Sequence, residues 1–371
     1  MVYLTYNDQP SGIYNSQVID VVKNFNSIQD KEKVRLVALL SVRGFFRNRT
    51  KLKSQIDCTV LPMFPGAGSW KINYITLWFL FLFSKPKSIM ARGPFATCLA
   101  LRLKRAGRTD KVIFDSRGAY KAELTEYKVV ENKKIVEQIK EIEKEALFRS
   151  DFRLAVSQAM VYYWNDNFDY NSDKHIIVPC TLSKEFTFPF PTHNEIKDLK
   201  KKIGYNEDDV VVVYSGSSAG WQSFKLISDL LLKMMNFNPK LKLLMLAHKT
   251  PETAELFKDH KERIKTAWVE PKEVKDYLLA ADYGILYRET SVTNKVASPV
   301  KYGEYLSCGL KVIISEGLGD FSGFSRAQKV KAEPDMMNEV SYEEKKRIHQ
   351  VAMEHLTKEK FKTEYLKLLN C

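Results

Sequence analysis

Cysteine is scarce in this chain: Cys58, Cys98, Cys180, Cys308 and Cys371 are five in 371 residues, with no two separated by two positions. That pattern excludes a CxxC redox pair and a thiolate metal knuckle, and it points to a reduced, cytoplasmic setting. Histidine is also sparse, at six. Neither the histidines nor a DxD-type carboxylate pair offers metal-ligand spacing, so no metal and no resident cofactor are expected. Of the histidines only His248 stands at a strand end, where it reads as a polar turn residue. GxGxxG and GxxxxGK[ST] are both missing, which disfavours dinucleotide and Walker-type phosphate sites. The amino-terminal stretch "MVYLTYNDQPSG" has neither a basic n-region nor an apolar h-region, so no secretion signal is expected in it.

Long apolar runs are lacking too. The most apolar stretch, Trp70 to Phe83 ("WKINYITLWFLFLF"), falls short of the ~18–20 residues of a spanning helix. Two readings of it stand: a helix buried against a sheet, which is favoured, or an interfacial segment with Lys71, Lys85 and Lys87 on anionic lipid. Carboxylates are outnumbered, 45 Asp and Glu against 58 Lys and Arg, for a net charge of +13. The imbalance favours an anionic partner, either a phosphorylated small molecule or an anionic membrane surface. The cations read as dispersed along the chain. No module interleaves them with stacking aromatics, so nucleic acid is not expected as a partner.

What the chain does contain is alternation. Short β-branched runs such as "VYLTY" (Val2–Tyr6), "VRLVALLS" (Val34–Ser41), "SIMAR" (Ser88–Arg92) and "KVIFDSRG" (Lys111–Gly118) alternate with helix-period segments. The pattern restarts after a polar interval, 181–209, with "VVVVYSGS" (Val210–Ser217), "KLLMLAH", "TAWVE", "YGILYR" and "KVIIS". Such alternation predicts parallel βαβ units, and the length predicts two domains. The expected fold class is α/β, with two Rossmann-like doubly wound domains facing a central cleft. They span residues 1–190 and 191–340, and a helical tail, 341–371, starts at a capping box of Ser341 and Glu344. The tail packs on either domain, including back onto the first.

In doubly wound sheets ligands sit at the carboxyl ends of the strands. At one such end, Gly216 and Ser217 open a small-residue turn into a helix; it reads equally as a phosphate cradle or a plain tight turn. At another, "YRETSVTNKVASPVKYGEYL" gathers Arg288, Glu289, Lys295, Lys301 and Glu304 in one strand-to-helix connection. Five charges beside small residues there suit a phosphate and sugar hydroxyls. The competing reading of Lys301 and Glu304 is an i,i+3 surface pair. In the first half, Gly12 sits in the first strand-to-helix loop. Arg117, with Asp115 and Arg92 as weaker candidates, ends a strand where a polar group can face the crevice.

The order "GSSAGWQSFKLI…LLMLAH…WVEPKEVKDYLLAADYGILYRE…SPVKYGEYLSCGLKVIISEGLGD" resembles the nucleotide-sugar-binding half of family-4 retaining glycosyltransferases of the GT-B fold. The likeness is strongest over 210–320 and weaker through "PSGIYNSQV", "ARGPFA" and "FDSRGAYKAE". It implies an acceptor-binding first domain, a donor-binding second domain and retention at the anomeric carbon. Glu304 resembles the family's second motif glutamate, which holds the nucleotide ribose. Donor contacts are implied for Gly216, Ser217, Gln222, Val269, Lys295, Ser298, Val300 and Glu304, and catalytic contacts for Glu289, Lys301 and Arg288. Gly12 and Arg117 fall in the acceptor or diphosphate loop.

The chain departs from the family pattern in several places. Val296 stands where the first motif glutamate would be, Ser217 and Gln222 stand where a phosphate-binding Arg and Lys would be, and Pro299 removes a backbone donor. Arg288, Lys295 and Lys301 are the candidates to compensate, and Glu289 the candidate to take over the sugar contact. The implied partners are a nucleotide-sugar donor, used as co-substrate, and a glycan or lipid-linked acceptor. The implied setting is surface polysaccharide or glycolipid synthesis in the cytoplasm, peripheral at the inner membrane face. Rival readings are an epimerase on the same fold and an inactive nucleotide- or glycan-binding subunit.

Overall fold

The computed structural model describes residues 1–29, 32–64, 67–128, 133–216, 223–248, 255–322, 329–330 and 337–370. The chain divides into two compact units. The first is Met1–Pro179 with Val296–Ser298 and Lys358–Cys371, and the second is Cys180–Lys295 with Pro299–Thr357.

The first unit is built on seven parallel strands, β1 (Val2–Tyr6), β2 (Arg35–Ser41), β3 (Cys58–Met63), β4 (Ser88–Arg92), β5 (Lys111–Asp115), β6 (Phe152–Ala155) and β7 (His175–Ile177), in the order β3-β2-β1-β4-β5-β6-β7. Both faces are buried, and alternate residues of each strand divide between them. Val37 and Leu39 enter one core with Leu4, Phe114 and Trp164. Leu36, Ala38 and Leu40 enter the other with Tyr3, Val18 and Phe25. β3, which the alternation of the sequence leaves unmarked, lies at the sheet edge, where Pro62 costs no ladder hydrogen bond to a further strand.

The second unit has six parallel strands, β8 (Val210–Ser215), β9 (Leu241–Leu246), β10 (Ile264–Ala267), β11 (Tyr283–Leu286), β12 (Lys311–Ile314) and β13 (Lys329–Val330), in the order β10-β9-β8-β11-β12-β13. The valine run splits by the same period: Val210, Val212 and Tyr214 face one core, and Val211 and Val213 the other. The helix Val300–Ser307 lies on that second face, and Gly284 in β11 makes its approach possible. A Cβ on Gly284 would stand 2.3 Å from the ring of Tyr305.

The carboxyl-terminal segment forms two helices rather than one, Tyr342–His355 and Lys362–Asn370. Ser341 caps the first by accepting from the Glu344 N–H at 3.3 Å. Lys358 onward belongs to the first unit, where Tyr365 meets Phe25 edge-on at 5.4 Å.

In each sheet the strand order reverses once, between β1 and β4 and between β8 and β11. Loops leave these two points in opposite directions and bare a crevice at the strand ends.

Candidate functional site

In the second unit, β8 and β11 pair only through Val212 with Tyr283 and Val213 with Gly284. Beyond that the two strands part, although β8 continues to Ser215 and β11 to Leu286. Tyr305 stands at the parting: its buried hydroxyl accepts from the Ser215 N–H at 3.1 Å. Burial raises the pKa of that phenol, so it stays protonated. Gly216, half-buried, follows at once, while Ser217 and Gln222 lie outside the described residues.

From β11 the chain runs to Arg288 and Glu289, and each is held by its backbone. The Arg288 N–H donates to Ser315 Oγ at 3.0 Å, and the Glu289 N–H donates to Ser223 Oγ at 2.9 Å. Asn294 ties the two together. Its Oδ1 lies 3.4 Å from Arg288 Nη1, and its amide donates to the Glu289 carbonyl at 3.0 Å. Arg288 is thus buried and fixed, whereas the Glu289 and Lys295 side chains are exposed.

Lys301 and Glu304 occupy the first turns of the helix Val300–Ser307, whose N-cap, Pro299, supplies no side-chain cap. They pair with each other at 2.6 Å, with side chains 29% and 12% exposed. The pair is neither fully solvated nor separately presented. One contact leaves Lys301 further N–H donors and Glu304 further lone pairs for a ligand. Val300 is half-buried beside them, and Val269 half-buried against the same core. At the ends of β9 and β10, His248 stacks on Trp268 with ring centroids 3.6 Å apart and planes 15° apart, leaving Trp268 69% exposed.

Ser298 is buried and belongs, with Val296, to the first unit. There the Val296 side chain sits in the core, and its carbonyl accepts from Ser157 Oγ at 2.7 Å. A glutamate at 296 would place a charge among apolar side chains.

The first unit's strand ends carry a second polar group. Asp115, fully buried, accepts from the Tyr3 hydroxyl, lies 2.6 Å from Arg117 Nε and 3.8 Å from Arg92 Nη1. Arg92 also reaches Asp8 at 3.1 Å, and Arg117 Nη1 stands 3.5 Å from Gln17 Oε1. Two carboxylates therefore balance two guanidiniums. Burial, then Asp115, raises the pKa of the Tyr3 phenol. Gln17 sits in a π-helical turn, Asn15–Ile19, a departure from α geometry that recurs at functional sites.

Gly12 starts the short helix capped by Ser11, and a Cβ there would meet no protein atom within 4 Å. Its backbone is not left-handed either, so neither the turn nor the packing calls for glycine. Deeper in the unit, Glu143 accepts from the Tyr120 and Lys121 N–H groups at 3.3 and 3.1 Å. Burial pushes its carboxyl up to about 7.

Ser223, Asn294, Ser315 and Tyr305 escape reasoning from sequence. Each acts through one tertiary contact, and no spacing announces it. Trp268, an aromatic just past a strand, was the one visible signal.

No family model matches the chain, and no curated protein sequence does. Solved structures do match its fold. HepE from Anabaena, solved with UDP, superposes with a TM-score of 0.74 at 11% identity, over 100% of this chain and 99% of that one; it has also been solved with UDP-glucose. Sucrose-phosphate synthase from Thermosynechococcus elongatus superposes at 0.69 and 11% identity, over 100% and 98%. The catalytic domain of starch synthase IV from Arabidopsis thaliana, bound to ADP and acarbose, does so at 0.68 and 11%, over 100% and 98%. The chain therefore has the GT-B fold of these proteins along its whole length.

Proposed function

We propose that this protein is a retaining glycosyltransferase of the family-4 type, moving a sugar from a nucleoside-diphosphate donor to a glycan or lipid-linked acceptor in surface polysaccharide or glycolipid synthesis. The observation that carries the reading is the parting of β8 and β11 at the second unit's switch point. Gly216, the fixed Arg288, Glu289 and the Lys301–Glu304 pair all lie within that strand-end region. The ligands of the structural neighbours support it: UDP and UDP-glucose in HepE, ADP and acarbose in the starch synthase.

In this reading the leaving diphosphate takes up charge as the glycosidic bond breaks. Arg288, pre-oriented by Asn294, and Lys301, through donors that Glu304 does not use, neutralise it together with the amino end of the helix Val300–Ser307. Glu304, with its other carboxylate oxygen, accepts from ribose hydroxyls, and Glu289 from the transferred sugar. The exposed face of Trp268 offers the nucleobase a stacking surface. Within the first unit, Gly12, whose missing side chain no packing contact requires, leaves room for the acceptor, and Arg117 stands at the strand ends of the same unit.

A thermal-shift screen with UDP, UDP-glucose, ADP and ADP-glucose tests donor binding. A donor at one hundred times its dissociation constant stabilises by about 2.7 kcal/mol. Proton NMR of the product then reads the anomeric configuration. No shift with any nucleotide, or an inverted product, refutes the corresponding part of the proposal.

One observation favours a second reading, that of a nucleotide-binding subunit without turnover: Val296 is committed to the first unit's core, leaving that motif position without a carboxylate. Nucleotide binding without transfer or hydrolysis of any donor would select it.

A further inference from the structure

The helix Asn73–Leu80 has two unlike faces. Trp70, Asn73, Leu77 and Phe81 recur at helical spacing and are buried. Asn73 fixes this orientation, donating to the Trp70 carbonyl at 3.0 Å and accepting from the Phe64 N–H at 2.9 Å. Ile72, Ile75 and Phe79 repeat the same spacing on the other side, and Phe83 follows just past the helix end; all four are exposed, Phe79 by 62% and Phe83 by 95%. The stretch is thus core along one stripe and bare apolar surface along the other.

The sequence around it is rich in cations. Between Cys58 and Thr109 there are eight Lys and Arg and no Asp or Glu, and carboxylates from elsewhere in the chain pair with five of them, Lys85, Lys87, Arg92, Lys104 and Arg105. From Lys33 to Thr109 the sequence holds fifteen cations and one carboxylate, Asp57, a net of +14 where the whole chain carries +13, although the helix Phe45–Lys53, with four of those cations, packs through Leu52 on the opposite face of the sheet. The cations are therefore not dispersed in effect: the rest of the chain is almost neutral. Lys71 and Arg102 lie over the Trp70 ring at 5.8 and 5.5 Å, and Arg108 over Trp78 at 4.7 Å. A depression of about 490 Å³ lined by Tyr74, Arg102, Arg105 and Ala106 opens next to the helix. Arg105 also reaches Glu145 at 3.2 Å, and Lys85 reaches Asp110 at 2.6 Å.

We propose that this face of the first unit seats on an anionic lipid bilayer, with the Ile72–Phe83 stripe at the acyl boundary and Lys71, Arg102 and Arg105 on lipid phosphates. Four side chains offer roughly 500 Å² of apolar surface, short of the ~800 Å² per partner of a stable protein interface. A bilayer needs no such area when cations at headgroup depth add their attraction. Among the described residues no helix is long and apolar enough to cross a membrane, so the contact is peripheral. It stands apart from the proposed transfer chemistry and is tested without it.

The test is co-sedimentation of the full chain with vesicles of phosphatidylcholine and phosphatidylglycerol, and with phosphatidylcholine alone. The expected result is binding to the anionic vesicles only, reversed by salt. Phe79→Ser with Phe83→Ser should weaken it at least tenfold with an unchanged circular dichroism melt, and Arg102→Gln with Arg105→Gln should lower it in the same way. If either variant fails to fold, brominated acyl chains added to the unmodified protein decide: they should quench tryptophan emission, and Trp78→Phe should reduce the quenching. Three results would overturn the proposal: no sedimentation with anionic vesicles, equal binding to both vesicle types, or binding untouched in folded stripe variants. A concentration-dependent dimer that the stripe variant dissolves, in a protein indifferent to vesicles, would assign the face to a second copy instead.

Discussion

Asn294 does two jobs with one amide. Its oxygen holds the Arg288 guanidinium and its nitrogen holds the Glu289 carbonyl. Asn294→Ala removes both, and under the proposed transfer reaction a misplaced guanidinium at the leaving diphosphate is expected to lower kcat/KM about 10- to 100-fold. Asn294→Asp keeps an oxygen for Arg288 but loses the donor to the loop, so the two variants separate cation placement from loop placement. Steady-state kinetics on both, beside unfolding midpoints, is the measurement. A variant as active as the parent would show that Arg288 needs no such support.

Glu143 gives a pH-dependent counterpart. Its carboxyl titrates near 4.5 when free and near 7 in the fold, because burial outweighs the two N–H groups it accepts from. The unfolded chain thus loses this proton first. Between those two values the folded state holds the extra proton, so stability falls as pH rises and levels off above about 7. The total is on the order of 3 kcal/mol. Glu143→Gln should flatten that slope and leave the variant more stable than the parent at alkaline pH. Urea unfolding at closely spaced pH values would show it.

Among the elements, the helix Val300–Ser307 and strand β11 fit only because Gly284 has no side chain. Gly284→Ala should cost ~1–3 kcal/mol by overpacking against Tyr305. Tyr305→Leu in the same chain should return part of it, at the expense of the Ser215 contact.

Most strands were legible because each is a short apolar run set between helix-period segments, most with both faces buried. The doubly wound character followed from parallel alternation, whereas the strand order, and with it the place of each switch point, did not. β3 was not legible, since Pro62 and an edge position break the pattern that marks its neighbours. β13, two residues long, has no pattern to read. At the site, the sequence indicated which residues stand near strand ends but not which of them hold one another. The Lys301–Glu304 pair is written in its i,i+3 spacing, whereas Asn294 with Arg288 and Tyr305 with Ser215 depend on turns and crossings that no local spacing encodes. The bare stripe from Ile72 to Phe83 was hidden for a different reason. In so apolar a run the few polar residues mark no face, and Asn73, the one that fixes its orientation, is buried.

Over the whole molecule, the chain ends by returning to the unit where it began. Tyr365 and Leu368 bury themselves against the helix Asp20–Ile28 and the adjoining strand faces of the first unit. Deleting 358–370 should therefore act on that unit alone. Two buried side chains at about 1.5–3 kcal/mol each set the loss at roughly 3–6 kcal/mol. Hydrogen exchange followed by mass spectrometry should show amides of Asp20–Ile28 and β2 losing protection while β8, β9 and the helix Val300–Ser307 keep theirs. Equal loss in both units would mean that the tail stabilises the chain as one cooperative body rather than one unit of it.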